Sequence, residues 1–115
     1  MLTAHGAGLA LDEPLATWRA DGWARLGVCC DATALAALRE RVDAVLDGVA
    51  PRDGMFFQHD AATGAYADLA TGRGWIGPSR AYRKLERLER DPVVRAWIDN
   101  ALFARLAHAV IGPDV

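Results

Sequence analysis

The strongest periodic pattern in the chain lies between residues 32 and 48, where apolar residues recur at spacings of three and four. Charged residues fill the positions between them, so that one face is apolar and the other is polar. Asp31 before the pattern, and Gly48 and Pro51 at its end, are residue types that start and stop helices. We therefore predict an amphipathic helix over 32–48. Its apolar face consists of Leu35, Leu38, Val42, Val45, Leu46 and Val49.

Capping signals predict three further helices. Asp12 starts a short helix that ends at Gly22, a residue type common at helix C-termini. Asp91 and Pro92 combine a capping carboxylate with a proline at the first helical position, where its missing N–H costs nothing. Asn100 caps the last helix of the chain. These signals predict a mostly helical protein.

Residues 79–90 place Tyr82, Leu85 and Leu88 three positions apart, which predicts one more helix. Its basic residues are Arg80, Arg83, Lys84 and Arg87. Two interpretations of these bases stay open. They form a cationic patch that holds a carboxylate or a phosphate, or they belong to a solvated helix face on which acidic and basic residues alternate.

Strand signals are few and short. Residues 23–29 alternate well enough to predict one strand, whereas residues 1–11 read as a loose leader. Periodicity disappears between residues 50 and 78, and a loop of this length is often functional. Two apolar runs inside it, 55–57 and 74–76, are strand fragments or packed loop. The aromatic residues of these runs are Phe56, Phe57 and Trp75. They could line a substrate entrance, but we favour packing against helices.

Charge and composition exclude several classes of function. A formal net charge of −2 argues against a nucleic-acid-binding surface over the whole molecule. No stretch approaches the ~18 apolar residues of a membrane span, and no basic residue precedes the N-terminal apolar residues as a secretory signal requires. Cys29 and Cys30 are adjacent, which suits a disulfide poorly, and we expect them buried at a strand end. We predict a cytoplasmic protein.

Histidine and serine offer little chemistry in sequence. His5, His59 and His108 stand in no metal-ligand spacing. His59 and Asp60 are neighbours whose side chains diverge, so we favour a surface or hydrogen-bonding role over metal binding. Ser79 is the only serine and has no Gly-x-Ser-x-Gly surroundings. We therefore predict no catalytic residue and no metal ligand within the chain.

Three segments carry a family resemblance. Residues 21–26 and 35–39 look like an Asp-Gly-aromatic strand followed by a helix. Residues 82–85 precede the Asp-Pro helix start at 91–94. Residues 106–115 form a helix that ends in a Gly-x-Asp-Val turn. In this order they resemble the N-terminal part of the phytanoyl-CoA dioxygenase family of Fe(II)- and 2-oxoglutarate-dependent oxygenases.

The resemblance covers about residues 15–115 and implies an α+β fold. It implies four to five helices and one or two short strands, packed outside a double-stranded β-helix, or jelly roll, that this chain lacks. The implied cofactors of the full-length parent are 2-oxoglutarate and Fe(II), the latter held by a His-x-Asp…His triad. The parent would be a hydroxylase of a small organic or carrier-bound substrate.

One site residue follows from the resemblance. The family has a lysine in the helix before the Asp-Pro start that contributes to the 2-oxoglutarate site, and Lys84 matches this position. Lys84 is also the only lysine among 13 basic residues, in a chain whose bias toward alanine and arginine is typical of a GC-rich bacterial genome. Arg80, Tyr82 and Arg83 flank it in sequence and are candidates for the same site.

The chain departs from the family because it contains no His-x-Asp sequence. We therefore expect residues 12–115 to be a single incomplete domain that binds neither cofactor and has no activity alone. The alternative is a stand-alone, non-catalytic helical binding module. In both cases apolar helix faces would be partly exposed and would favour self-association; their residues are Leu102, Phe103, Leu106 and Val110.

Overall fold

The structure is a computed structural model that describes residues 8–61, 63, 65 and 74–114. The described residues form four helices and a two-stranded antiparallel sheet, which confirms the α+β class. A 3₁₀ turn over Leu88–Arg90 follows the second strand. The elements are α1 (Asp12–Asp21), α2 (Ala32–Leu46), β1 (Phe56–His59), β2 (Tyr82–Glu86), α3 (Pro92–Ile98) and α4 (Ala101–Val110).

Helix α1 begins and ends where the sequence predicts, but its N-terminus is not capped as expected. Leu11 occupies the capping position and makes no side-chain cap bond, so the prediction of Asp12 as the cap is wrong. Asp12 lies in the first turn instead, where its charge is favourable beside the helix dipole. Gly22 ends the helix with φ 79° and donates its N–H to the Trp18 carbonyl at 2.8 Å.

The caps predicted for the two C-terminal helices are confirmed. Asp91 Oδ1 accepts the backbone N–H groups of Val93 at 2.9 Å and Val94 at 3.3 Å. Asn100 Oδ1 accepts the N–H of Leu102 at 2.9 Å. Each bond satisfies a backbone donor that the first turn of a helix leaves without an intrahelical acceptor. These two residues therefore set the starts of α3 and α4.

Helix α2 is two residues shorter than predicted, and only part of its apolar face is covered. It ends at Leu46, after which Gly48 takes the left-handed conformation at φ 76°. Val45 is fully buried, but the side chains of Leu35 and Val49 are 46% and 82% exposed. The covered part is the C-terminal half, because the core of residues 37–95 lies there. That core consists of Val45, Leu46, Ala50, Phe57 and Tyr82.

The prediction of a helix over 79–90 is wrong, because residues 82–86 form strand β2. The paired residues are Phe56 and Glu86, Phe57 and Leu85, Gln58 and Lys84, and His59 and Tyr82. Arg83 falls between Tyr82 and Lys84, while no residue falls between their partners, so Arg83 is the extra residue of a β-bulge. The bulge brings Tyr82 and Leu85 to one face although they are three positions apart.

Residues 8–36 and 96–114 form the described part of a second unit. The predicted strand at 23–29 is absent: Gly27 has φ 83°, and the free thiols of Cys29 and Cys30 are only half-buried. On α4, the expectation that Leu102 is exposed is wrong, since it is fully buried, whereas Val110 is 41% exposed. The rings of Trp97 and Phe103 meet edge to face at 4.8 Å, which secures the connection into α4.

Candidate functional site

Lys84 lies on strand β2, and its placement in a helix, taken from the family resemblance, is wrong. Its cross-strand neighbour is Gln58, on the face of the hairpin opposite to Phe57 and Leu85. The Nζ atom of Lys84 lies 2.6 Å from Oε1 of Glu86, two residues further along the same face. The two side chains are 53% and 47% exposed. Lys84 is thus an accessible ammonium group that already contacts a carboxylate.

This arrangement allows one carboxylate to be exchanged for another. An ion pair between exposed groups contributes only about 0–1 kcal/mol, because water solvates both partners well when they separate. Displacing Glu86 therefore costs an incoming carboxylate little binding free energy. Gln58 offers an uncharged amide donor within reach of the same face. The face has the elements of a weak carboxylate-binding site.

Arg80 is directed toward helix α2 rather than toward Lys84. Its Nη1 and Nη2 atoms lie 2.6 and 3.0 Å from the two carboxylate oxygens of Asp47, and its Nε lies 3.3 Å from Asp43 Oδ1. The side-chain hydrogen bond to Arg80 lowers the pKa of Asp47, and the same contact raises the pKa of Arg80. Arg83, at the bulge, lies 3.6 Å from Asp60 Oδ1 through its Nε. Arg80, Arg83 and Lys84 therefore contact separate acidic partners, which favours the interpretation of a solvated face over that of one cationic patch.

Tyr82 is a structural residue of the hairpin. Its ring is buried and meets Phe57 edge-on, with the ring centroids 5.5 Å apart. Its hydroxyl donates to the Gly77 carbonyl at 2.7 Å and accepts the Ile76 N–H at 2.8 Å. Tyr82 therefore fixes the turn before β2, and the structure does not bring it together with Lys84.

A serine–histidine contact is present that the sequence did not reveal. His59 Nε2 lies 2.7 Å from Ser79 Oγ, and His59 Nδ1 lies 2.9 Å from the Asp60 carbonyl oxygen. Because a carbonyl only accepts, Nδ1 carries a proton, and in the neutral ring Nε2 then accepts from the serine hydroxyl. Ser79 Oγ also accepts the Ala81 N–H at 3.0 Å, which ties it to the local turn. The residues are 20 positions apart, and only the hairpin register brings them together.

The described residues do not fit an iron centre. No group of three or more histidine, cysteine, aspartate or glutamate side chains converges within residues 8–61, 63, 65 and 74–114. Both ring nitrogens of His59 are engaged in hydrogen bonds, and His108 is exposed on α4. His5 lies outside the described residues. No step of the chemistry is therefore assigned to iron held by these residues.

The aromatic residues predicted to line an entrance or to pack have separate environments. Phe57 is in the core, as preferred, with 2% of its surface exposed. Phe56 is 38% exposed, at the start of β1. Trp75 is half-buried and borders an open cavity lined by residues 48–53, 55 and 57. Only Phe56 shares the face of the hairpin that carries Lys84.

Comparison with known proteins yields no match: no family model, no curated protein and no solved structure is significantly similar to this chain. Among the residues that the structure describes, no helix has both the length and the apolar character needed to cross a membrane.

Proposed function

We propose that this chain is the N-terminal part of an Fe(II)- and 2-oxoglutarate-dependent oxygenase similar to the phytanoyl-CoA dioxygenase family. In the parent enzyme, which oxidises a small organic or carrier-bound substrate, Lys84 binds a carboxylate of 2-oxoglutarate. The observation that carries the proposal is the exposed ammonium group of Lys84, 2.6 Å from a carboxylate oxygen. It lies in the segment where the resemblance implies the co-substrate lysine, just before the Asp-Pro helix start.

The chemistry of the Lys84 face supports this choice of ligand. 2-Oxoglutarate carries two carboxylates, and a lysine ammonium is a compact charge with three donors that accepts a carboxylate in many orientations. Gln58 adds a neutral donor, and the partly exposed ring of Phe56 offers an apolar contact for the methylene groups of the ligand. Glu86 holds the lysine in place until the ligand replaces it.

The uniqueness of the lysine makes the proposal testable in this chain. Because Lys84 is the only lysine, selective isotope labelling of lysine gives a single side-chain signal in NMR spectra. The sequence led us to expect no cofactor on this chain alone, but the exposed Lys84 face leads us to expect weak binding of 2-oxoglutarate. The ligand should shift the ε-methylene signal saturably, whereas the dimethyl ester, which has no carboxylate charge, should leave it unmoved. Equal shifts from acid and ester, or no shift from the acid, would contradict a carboxylate site at Lys84.

Glu86→Gln tests whether the ligand competes with the resident carboxylate. Removing that competitor should tighten 2-oxoglutarate binding by about two- to fivefold, the equivalent of a good exposed ion pair. Glu89→Gln is the matched control, because it removes the same charge from the 3₁₀ turn outside β2. If both variants bind 2-oxoglutarate with equal affinity, the tighter binding comes from the change in net charge and not from the contact of Glu86 with Lys84.

A stand-alone binding module is the second candidate, and exposed apolar residues favour it. Ile98, Val110 and Ile111 are 42%, 41% and 73% exposed, and self-association would remove such apolar side chains from water. The mass of the intact protein from its natural source distinguishes the candidates. The oxygenase proposal expects a mass well above the 12.4 kDa of this chain. A mass of 12.4 kDa, with a dimer in sedimentation, would instead support the module.

A further inference from the structure

The cavity beside Trp75 is separate from the Lys84 face and has its own chemistry. Its volume is about 650 Å³, within the range of sites that bind small molecules. Apolar groups of Val49, Met55 and Phe57 form part of its lining. The charged residues Arg52 and Asp53 also belong to its lining. A cavity lined by both apolar groups and a cation is suited to a ligand that has both an apolar body and a charge.

The indole of Trp75 is fixed in position by the backbone around it. Its Nε1 donates to the Leu46 carbonyl at 3.4 Å. Its ring lies so close to Gly48 that a Cβ atom there would come within 2.8 Å of Cζ2. Gly48 also has φ 76°, a conformation that side-chain-bearing residues rarely adopt. The wall of the cavity is thus a packed surface, set in place before any ligand arrives.

The guanidinium of Arg52 lies over this wall. Its Cζ atom is 3.8 Å from the centroid of the Trp75 ring, the distance of a cation–π contact. Its backbone is held by a tight turn in which the Met55 N–H donates to the Arg52 carbonyl at 3.0 Å. No ion pair of Arg52 is formed among the described residues. A cation–π contact uses no N–H donor, so the donors of this guanidinium can bind a carboxylate, which they match in geometry.

We infer that the Trp75 cavity binds a small organic monocarboxylate, with its carboxylate on Arg52 and its apolar body against Val49 and Met55. The charge on Asp53 selects against ligands with more than one negative charge, since a like charge in the lining repels the second one. This site is independent of the proposed function at Lys84, because it uses none of the same residues.

The test is calorimetric titration of the full chain with 1-naphthoate. We expect saturable binding, with binding of the neutral analogue 1-naphthamide at least about tenfold weaker, since it lacks the charge that Arg52 recognises. Inorganic phosphate should not bind measurably. Naphthamide binding as tightly as naphthoate, or phosphate binding equally well, would overturn the inference.

Three variants make the test specific. Arg52→Gln should weaken naphthoate binding about tenfold, and Arg52→Lys, which keeps the charge but loses the planar donors, should weaken it severalfold. Asp53→Asn should tighten it about two- to threefold, because an opposing charge is removed. Lys84→Met should leave it unchanged, which separates this site from the 2-oxoglutarate proposal. Unchanged affinity in Arg52→Lys refutes the site even if Arg52→Gln fails to fold.

Discussion

The two faces of the β1–β2 hairpin differ in almost every property. One face carries Phe57, Tyr82 and Leu85 and contributes to the core of residues 37–95. The other carries Lys84 and Glu86, both about half exposed, as an ion pair in contact with water. The same five-residue strand therefore supplies packing on one side and an accessible cation on the other. A short element can combine both roles because alternate side chains of a strand leave it in opposite directions.

The largest expected effect comes from the packed face. Phe57→Ala removes a buried ring and leaves a cavity, which should lower the free energy of unfolding by about 3–5 kcal/mol. Denaturation followed by circular dichroism measures the change. Phe56→Ala, one residue away on the other face, is the control and should cost only about 1–2 kcal/mol, since the residue is 38% exposed. Equal costs would mean that the two faces are not distinct.

Tyr82→Phe tests how the packed face fixes its neighbouring turn. The substitution keeps the ring but removes a hydroxyl that bonds Ile76 and Gly77. We expect a loss of about 1–2 kcal/mol, because a donor and an acceptor of the backbone lose their partner. Hydrogen exchange of the Ile76 amide is the local readout. An unchanged exchange rate there would argue against the role of the hydroxyl.

Lys84→Met should be nearly neutral for stability. The side chain is half exposed and its ion pair is with an exposed glutamate, so the change should stay within about 0.5 kcal/mol. In the same variant, 2-oxoglutarate should no longer raise the melting temperature. The two results together would show that Lys84 contributes to binding and not to folding. A loss comparable to that of Tyr82→Phe would identify Lys84 as structural.

The smallest effect should come from the exposed pair of Arg80 and Asp47. Because Arg80 lowers the pKa of Asp47, this contact stabilises the fold above the unfolded-state pKa of the carboxyl. The contribution is lost as the pH falls through the lowered, folded-state pKa. NMR titration of the Asp47 carboxyl should give a midpoint below its ordinary value, and Arg80→Ala should restore that value. A midpoint unaffected by Arg80→Ala would show that the pair does not persist in solution.

Local signals in the sequence predicted much of the helical structure. Asp91 and Asn100 work as caps because a cap depends only on the next three residues. The extent of burial along α2 was not predictable in the same way. Leu35 and Val45 have equivalent places in the pattern, yet only Val45 is covered, since its cover comes from residues distant in sequence.

The hairpin shows why the strand β2 and the contacts that depend on it were not predicted from the sequence. The bulge at Arg83 puts Tyr82 and Leu85 on one face at a spacing of three, which is a helical spacing. The pairing of His59 with Ser79 depends on that same register and has no local signature. The Arg52–Trp75 contact joins residues 23 positions apart and was equally invisible. In each case a tertiary arrangement, and not a local preference, decides the outcome.

The bulge also determines where the length of this chain can change. If Arg83 were deleted, Tyr82 would still oppose His59 and Lys84 would still oppose Gln58, now in a regular ladder. No side chain would exchange faces, so the one-residue deletion should preserve the hairpin, while a deletion one position later would remove the lysine itself. Homologous chains that lack one residue here, and read as strictly alternating strands, would share this hairpin despite a different apparent periodicity.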